Sequence, residues 1–247
     1  MKRIIILFFL LFPGFVLAQI LVDTDFDAVP DKDEIEIYKT NFNQRDTDGD
    51  GFSDWQELVN GYSPHNPEPI KLEDNDYDKD GLSDRMELNF HTDLDRPDTD
   101  GDGFEDGTEI NNGYDPLNNN GGKLIKKIEI NKADQELYYY LGNVKMGKYI
   151  ISSGVDNTTP SGKYEIINKD LKAWSSYGLW MPYWNGLEGN GQYGRIGIHE
   201  LPIWPSGYRE GEDHLGVPVS HGCIRLGIDG AEFIYNWAPI GTKVIIY

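Results

Sequence analysis

The chain has 247 residues, 38% of them hydrophobic and 13% aromatic, which is enough for one large or two ordinary packed domains and too much for a disordered chain. Its formal charge of −20, from 42 acidic against 22 basic side chains, argues against a nucleic-acid or anionic-membrane partner, because both reward Lys and Arg; it favours bound cations instead. A single cysteine excludes an internal disulfide framework and a four-cysteine zinc site.

Lys2-Arg3, the apolar run Ile4 to Leu17, and Ala18 before Gln19 have the order of a positive head, a hydrophobic stretch and a small-residue cleavage site. Residues 1–18 are therefore expected to be a cleaved signal peptide. The run is short for a bilayer and contains Pro13 and Gly14, so no membrane span is expected after cleavage. No Cys follows it to take a lipid anchor. The expected location is periplasmic or secreted, in a bacterial cell envelope. An unpaired thiol is usually avoided in such an oxidising compartment, so Cys223 needs a reason.

The charge is unevenly spread. Residues 19–122 hold 29 acidic and 7 basic side chains, a balance of −22, whereas residues 123–247 hold 13 of each. The shift predicts an acidic unit over 19–118, a polar linker at 119–123 around Asn119-Asn120-Gly121-Gly122, and a second domain over 124–247.

Three acidic segments match D-x-[DN]-x-[DN]-G-x5-E at every defined position. They are Asp46, Asp48, Asp50, Gly51, Asp54 and Glu57; then Asp76, Asp78, Asp80, Gly81, Asp84 and Glu87; then Asp98, Asp100, Asp102, Gly103, Asp106 and Glu109. Alternate carboxylates converge on one hard cation, the Gly permits a sharp turn, and the final Glu closes the shell. The expected cofactor is calcium, bound structurally by these fifteen side chains. A fourth segment keeps Asp23, Asp25, Asp27 and Asp31 before Glu34, but Ala28 replaces the Gly and Pro30 lies inside the loop, which argues against the same geometry. Without metal the clustered carboxylates repel, so the region should be loose when ion-free and ordered when loaded. His65 and His91 are expected to face solvent.

The stretch after each loop also recurs: Glu57-Leu58-Val59-Asn60-Gly61-Tyr62-Ser63-Pro64 against Glu109-Ile110-Asn111-Asn112-Gly113-Tyr114-Asp115-Pro116. Each unit reads as a loop, a short helical turn ended by Gly, and a Pro-bounded connector. Residues 23–118 resemble the thrombospondin type 3 repeats of bacterial envelope proteins. The resemblance implies calcium and a spacer or docking role.

From Ile125 the pattern alternates. Strands are expected around Ile125 to Ile130, Glu136 to Leu141, Val144 to Ser152, Lys163 to Asn168, Leu179 to Trp184, Arg195 to His199 and Thr242 to Tyr247, with a hairpin at Gly142-Asn143. One helix is expected from about Gly230 to Trp237, with Asp229 as N-cap and Glu232 closing a capping box. This is a mainly antiparallel β domain with one late helix.

Chemistry concentrates in Ser220-His221-Gly222-Cys223-Ile224-Arg225 and in His199, which ends a short strand. Cysteine attacks as its thiolate, so a productive site needs a base beside it and main-chain N–H groups aimed at the developing oxyanion. Two rival readings stand alongside: a small buried hydrophobe at Cys223, and a zinc site made by His199, His221 and Cys223. Trp174, Trp180, Trp184 and Trp204 read as strand packing ahead of a glycan platform.

The order Asp134-Gln135-Glu136-Leu137, Thr159-Pro160-Ser161-Gly162, Ile198-His199, Ser220-His221-Gly222-Cys223-Ile224-Arg225 and Gly241-Thr242-Lys243-Val244 resembles the L,D-transpeptidase catalytic family, the YkuD domain, over residues 124–247. That resemblance implies a β-sandwich-like fold and acyl transfer on peptidoglycan stem peptides, with an envelope protein as another possible acceptor. It makes Cys223 the nucleophile and His199 the base, held in its tautomer by the Glu200 carbonyl. Amides of His221, Gly222 and Cys223 form the oxyanion hole, and the side chains of Ser220, His221 and Arg225 support the site. It also implies acylation of Cys223 by carbapenem-type β-lactams, and no cofactor for catalysis. Twenty residues, 200–219, separate His199 from Ser220, more than in compact members, and with Trp204, Tyr208 and His214 they read as a longer lid. Two alternatives share these residues: an L,D-carboxypeptidase that uses water, and a calcium-stiffened module that grips peptidoglycan without turnover.

Overall fold

The computed structural model describes residues 21–189 and 192–247. The expected signal peptide lies outside the described residues. The chain forms two compact units, one ending at Pro97 and the other starting at Asp98. This division falls earlier than the expected linker at 119–123, so the last acidic loop belongs with the C-terminal domain. The reason is local: the Leu124 amide donates to the Gly113 carbonyl at 2.9 Å, and the Lys123 ammonium sits 5.1 Å from the centre of the Tyr114 ring.

In the first unit, acidic loops feed helices α1 (Asp54–Asn60) and α2 (Asp84–Phe90); α3 (Asp106–Asn112) follows the loop that opens the second unit. Each helix ends after seven residues because the next residue turns left-handed: Gly61, His91 and Gly113 have φ of 77°, 65° and 79°. His91 is exposed there, as expected. His65 is not: its ring stacks on Tyr77 at 4.4 Å and its Nε2 contacts the Tyr38 carbonyl at 2.7 Å, so solvent exposure was the wrong expectation for it. Few apolar side chains are buried in this unit, among them Leu72 and Leu94.

The second unit has strands β1 (Lys126–Asn131), β2 (Glu136–Leu141), β3 (Val144–Ser152), β4 (Gly162–Trp174), β5 (Trp180–Gly189), β6 (Gln192–Glu200), β7 (Ile224–Leu226) and β8 (Lys243–Ile246). Their ladders close in the order β1-β2-β3-β7-β6-β5-β4-β8, where a sandwich-like reading expects two facing sheets. The β1–β8 and β6–β7 contacts are parallel and the rest antiparallel. Alternate residues such as Ile128, Ile130, Leu137, Leu187, Ile198 and Ile224 fill the interior. Strand β4 runs six residues beyond the expected Asn168, because its hairpin with β5 continues to Trp174 opposite Trp180.

Helix α4 spans Ile228–Trp237 and starts two residues earlier than expected. Its N-cap is Gly227, and the expected Asp229–Glu232 capping box is absent; Asp229 instead lies in the first turn, where its charge suits the helix dipole. At the other end Lys126 Nζ donates to the Trp237 carbonyl at 3.0 Å and Lys169 Nζ to the Ala238 carbonyl at 2.7 Å. Burial lowers both ammonium pKa values, yet the helix end supplies the acceptors they need.

Leu187→Ala should destabilise the second unit by roughly 2–5 kcal/mol through lost burial and the cavity left behind. Urea unfolding followed by tryptophan fluorescence measures this, and an unchanged midpoint would contradict the packed interior.

Candidate active site

Strands β6 and β7 lie side by side, with Ile198 opposite Ile224 and His199 opposite Arg225. Cys223 stands one residue before β7, so it reaches the same face as Arg225 two residues later. His199, Cys223, Arg225, Ser220 and His221 all line one cavity of about 500 Å³. The sequence-predicted group is thus gathered in one place.

His199 is buried, and its Nδ1 lies 2.5 Å from the Glu200 carbonyl. A carbonyl only accepts, so Nδ1 carries the proton and Nε2 is left with its lone pair. Trp184 stacks on the imidazole with ring centres 5.8 Å apart. That approach requires Gly197, because a Cβ there would meet the Trp184 ring at 2.6 Å. Burial lowers the His199 pKa to about 4; the Glu200 hydrogen bond opposes the shift and the Arg225 charge adds to it. Burial also pushes the half-buried Cys223 thiol up, while the Gly197 amide and Arg225 pull it down. Both shifts favour a neutral thiol beside a neutral imidazole over a preformed ion pair.

The loop carrying Cys223 is held from inside. Ser220 Oγ donates to the Cys223 carbonyl at 2.6 Å and accepts from the Gly222 amide at 3.0 Å. That amide is therefore turned to Ser220, and the expectation that it joins the oxyanion hole does not fit this arrangement. What Gly222 supplies is its φ of 135°, a region costly for other residues. The fully buried Thr159 accepts from the Gly154 amide at 2.7 Å and donates to the Gly222 carbonyl at 2.9 Å. Gln135 completes the support: its side chain bonds the Ser153 amide and hydroxyl, both at 2.8 Å, and the Ser153 carbonyl accepts from the Ser220 amide at 3.0 Å. Thr159 and Gln135 stand inside the sequence motifs, but nothing in the motifs pointed to these roles.

Segment 200–219 is not the cover it was expected to be. Of its residues only Pro202 lines the cavity; Trp204 packs on Tyr208, and Ile203 bridges to Trp180. The wall comes instead from the end of the β4–β5 hairpin, Ala173 to Met181, where Tyr177 stacks on the exposed His221 at 4.5 Å. Two of the segment's four acidic residues turn inward: Glu200 pairs with Arg209 at 2.9 Å and Glu210 with Arg225 at 2.8 Å, while Glu212 and Asp213 are exposed. The tryptophans divide. Trp174 packs edge-on against Trp180, as expected, but Trp174 and Trp184 also line the cavity.

The acidic loops share one construction. In the first full loop Asp46 accepts from the Gly49 and Gly51 amides, Asp48 from the Asp50 amide and Asp50 from the Phe52 amide. Ligand oxygens of Asp46, Asp48 and Asp50 lie within 4.8 Å of one another, as do those of Asp76, Asp78 and Asp80, and of Asp98, Asp100 and Asp102. Glu57, Glu87 and Glu109 are buried against these clusters, each with a carboxylate oxygen that no hydrogen bond satisfies, as are Asp48 Oδ2 and Asp100 Oδ2. Buried unsatisfied oxygens around a hard-donor cluster fit calcium.

Two expectations about these loops need correction. Asp54, Asp84 and Asp106 begin their helices, and loop and side-chain donors take up their carboxylates. Asp54 accepts from the Thr47 amide and hydroxyl at 2.8 and 2.7 Å, Asp106 does the same with Thr99, and Asp84 bonds the Tyr77 amide, Ser63 and Asn75. Conversely, the segment with Ala28 adopts the same form. Ala28 takes φ 86° where Gly51 takes 102°, Asp31 receives Thr24 as Asp54 receives Thr47, and Asp23, Asp25 and Asp27 converge.

Two protein families match this chain. The family model of the L,D-transpeptidase catalytic domain matches residues 125–246, and that of the bacterial TSP3 repeat matches 46–61 and 98–119. YqjB of Bacillus subtilis, provisionally named an L,D-transpeptidase, is 30% identical over 130 residues, covering 48% of this chain and 69% of that protein. The chain belongs to the L,D-transpeptidase family. YciB of the same organism, also provisionally so named, is 30% identical over 128 residues; the match spans 48% of this chain and 64% of YciB. A solved L,D-transpeptidase from Mycobacterium tuberculosis H37Rv is 23% identical, with TM-score 0.42 and coverage of 51% of this chain and 59% of that one. One from Mycobacterium smegmatis is 18% identical, with TM-score 0.43 and coverage of 51% and 60%.

Two measurements test the site of this L,D-transpeptidase family member. Thr159→Ala leaves the Gly154 amide and the Gly222 carbonyl without their buried partner, so it should cost about 1–3 kcal/mol in denaturant unfolding. For His199 the folded pKa lies below the unfolded 6.5, so the unfolded state binds more protons between about 4 and 6.5. The stabilisation is present above pH 6.5 and is lost as pH falls through 4. His199→Gln should flatten that part of the thermal-melting profile; a profile identical to wild type would contradict the buried neutral ring.

Proposed function

We propose that this protein is an exported L,D-transpeptidase acting on peptidoglycan stem peptides through a thioester on Cys223. The observation that carries the reading is the Cys223 thiol in one cavity with His199, whose Nδ1 is committed to the Glu200 carbonyl. Nε2 is then free to take the thiol proton as sulfur attacks the carbonyl between the third and fourth stem residues. The tetrahedral intermediate collapses, the imidazolium returns the proton to the departing amine of the terminal D-amino acid, and the acyl group stays on sulfur. An acceptor amine then attacks the thioester, giving up its proton to His199, and the thiol is restored. The oxyanion donors we assign are the His221 and Cys223 amides, with the Gly222 amide bound to Ser220. The acceptor is a second stem peptide or an envelope protein; with water the same site is a carboxypeptidase.

We read the acidic loops as structural calcium sites outside the cytoplasm, each built from the three converging aspartates and the closing glutamate. They contribute nothing to the chemistry. Asp23, Asp25, Asp27 and Glu34 form a fourth such group, since Glu34 is fully buried with Oε2 unsatisfied.

Incubation with a disaccharide-tetrapeptide followed by mass spectrometry tests the reaction. Wild type should release the terminal D-amino acid and form dimers, Cys223→Ala should form none, and a carbapenem should add its mass to wild type alone. Equal turnover by Cys223→Ala would end the reading. Trimmed tripeptides without dimers under excess acceptor would identify a carboxypeptidase. Binding to sacculi by both forms without turnover would identify a binding module.

Calcium should raise the melting temperature and change its pH dependence. In the ion-free loops burial and the neighbouring aspartates push Glu57, Glu87 and Glu109 up to about 8, 9 and 7. The folded loops then hold protons that the unfolded chain releases above about 4.5, so stability falls as pH rises toward 9. Millimolar calcium should replace those protons and flatten the decline. Identical melting and proteolysis of residues 19–122 with calcium and with chelator would rule the ions out.

A further inference from the structure

Segment 200–219 adds only Pro202 to the cavity wall, but it brings a buried carboxylate to the site. Glu210 is 7% exposed, and its Oε1 accepts from Arg225 Nη1 at 2.8 Å and faces His214 Nδ1 at 2.7 Å. The backbone fixes it as well: the Glu210 amide donates to the Pro202 carbonyl at 3.0 Å, just past the Ile203–Arg209 bridge. Arg225 is equally buried, at 8% exposed. It is the register partner of His199, it follows Cys223 by two residues, and it lines the cavity.

We propose that Glu210 is a positioning residue for the transfer reaction, anchoring the Arg225 guanidinium beside the Cys223–His199 pair and offsetting its charge. This rests on the reading of Cys223 as nucleophile and His199 as base. A buried guanidinium near that pair favours the thiolate and opposes the imidazolium, and both effects act on the same proton transfer. Glu210 lies on the far side of Arg225's hydrogen bond and weakens both. The other titratable groups lining the cavity are His221 on the Cys223 loop and Tyr177 from the β4–β5 hairpin, and the Gly197 amide on β6 also faces the thiol; those at Glu210 are Arg225 and His214, with the Glu200–Arg209 pair in the same segment. No sequence motif marks Glu210; the only hint is the unusual length of its segment.

Glu210→Gln keeps an acceptor for Arg225 and deletes the charge. The chain has a single cysteine, so the pH dependence of iodoacetamide labelling reads Cys223 alone. The midpoint should fall by about half a unit or more in Glu210→Gln, making labelling below the midpoint about threefold faster or more. Should the reagent not reach the thiol, thiolate absorbance at 240 nm, taken as the difference from Cys223→Ser, gives the same midpoint. Glu210→Ala removes anchor as well as charge and should lower kcat by about tenfold or more with a smaller change in KM. Equal midpoints for wild type and Glu210→Gln overturn the proposal, because a merely structural carboxylate would change stability and leave the thiol titration where it was. Turnover by Cys223→Ala would instead overturn the nucleophile reading, so the two failures are distinguishable.

Discussion

Three residues of parallel pairing between β6 and β7 set the geometry of the site. Strand β7 is short and lies between β3 and β6, so its register is fixed from both sides, and the residue entering it, Cys223, is fixed with it. A one-residue slip would turn His199 and Arg225 to opposite faces, because side chains alternate along a strand. The closed ring resists such a slip, since every strand is bonded on both edges. What remains adjustable is the loop before β7, and there Ser220 and Thr159 supply the bonds that the backbone alone does not.

The same burial decides the resting charge of the site. A thiol and an imidazole in a wall of tryptophan and isoleucine are each disfavoured as ions, so the proton rests on sulfur. A standing thiolate is also the form most open to oxidation, so a resting thiol suits the exported enzyme proposed above. The Glu200 carbonyl holds the ring in one tautomer without adding a full negative charge beside it. An Asp or Glu side chain there would stabilise the imidazolium more strongly and shift the pair toward a standing ion pair.

Much of this was legible in the sequence, and the parts that were not share a cause. Strands β2 and β3 have the predicted limits because Gly142-Asn143 punctuates them, and Cys223, His199 and Arg225 were marked by their motif. Thr159 and Gln135 lay inside matched motifs, but their work is to bond loops distant in sequence, and spacing does not report that. Asp54, Asp84 and Asp106 show the opposite error. A loop pattern assigns them to an ion, yet as first residues of helices they cap their own loop through its second residue. Ala28 in place of Gly argues against the loop form in the sequence, and the φ of 86° it adopts is unfavourable for alanine. The aspartates around it bond the same loop amides as in the other loops, and that network holds the turn.

The two halves of the chain manage buried charge in contrasting ways. In the acidic loops backbone amides bind one set of carboxylate lone pairs and leave another set buried without a hydrogen bond, the set assigned above to the proposed calcium ions. In the catalytic domain the two buried carboxylates of segment 200–219 each face an arginine, Glu200 facing Arg209 and Glu210 facing Arg225, with only Glu210 Oε2 and Arg225 Nε of the second pair left without a hydrogen bond. The lengthened segment therefore does more than enlarge the domain. A shorter connection between β6 and Ser220 would have to leave the Arg225 charge unbalanced next to the thiol or find its counter-ion on another element. Because Arg225 lines the cavity and Glu210 does not, the balance is set from outside the volume a substrate occupies. Substitution in this segment can thus alter the chemistry of the pair without altering the shape of the cleft.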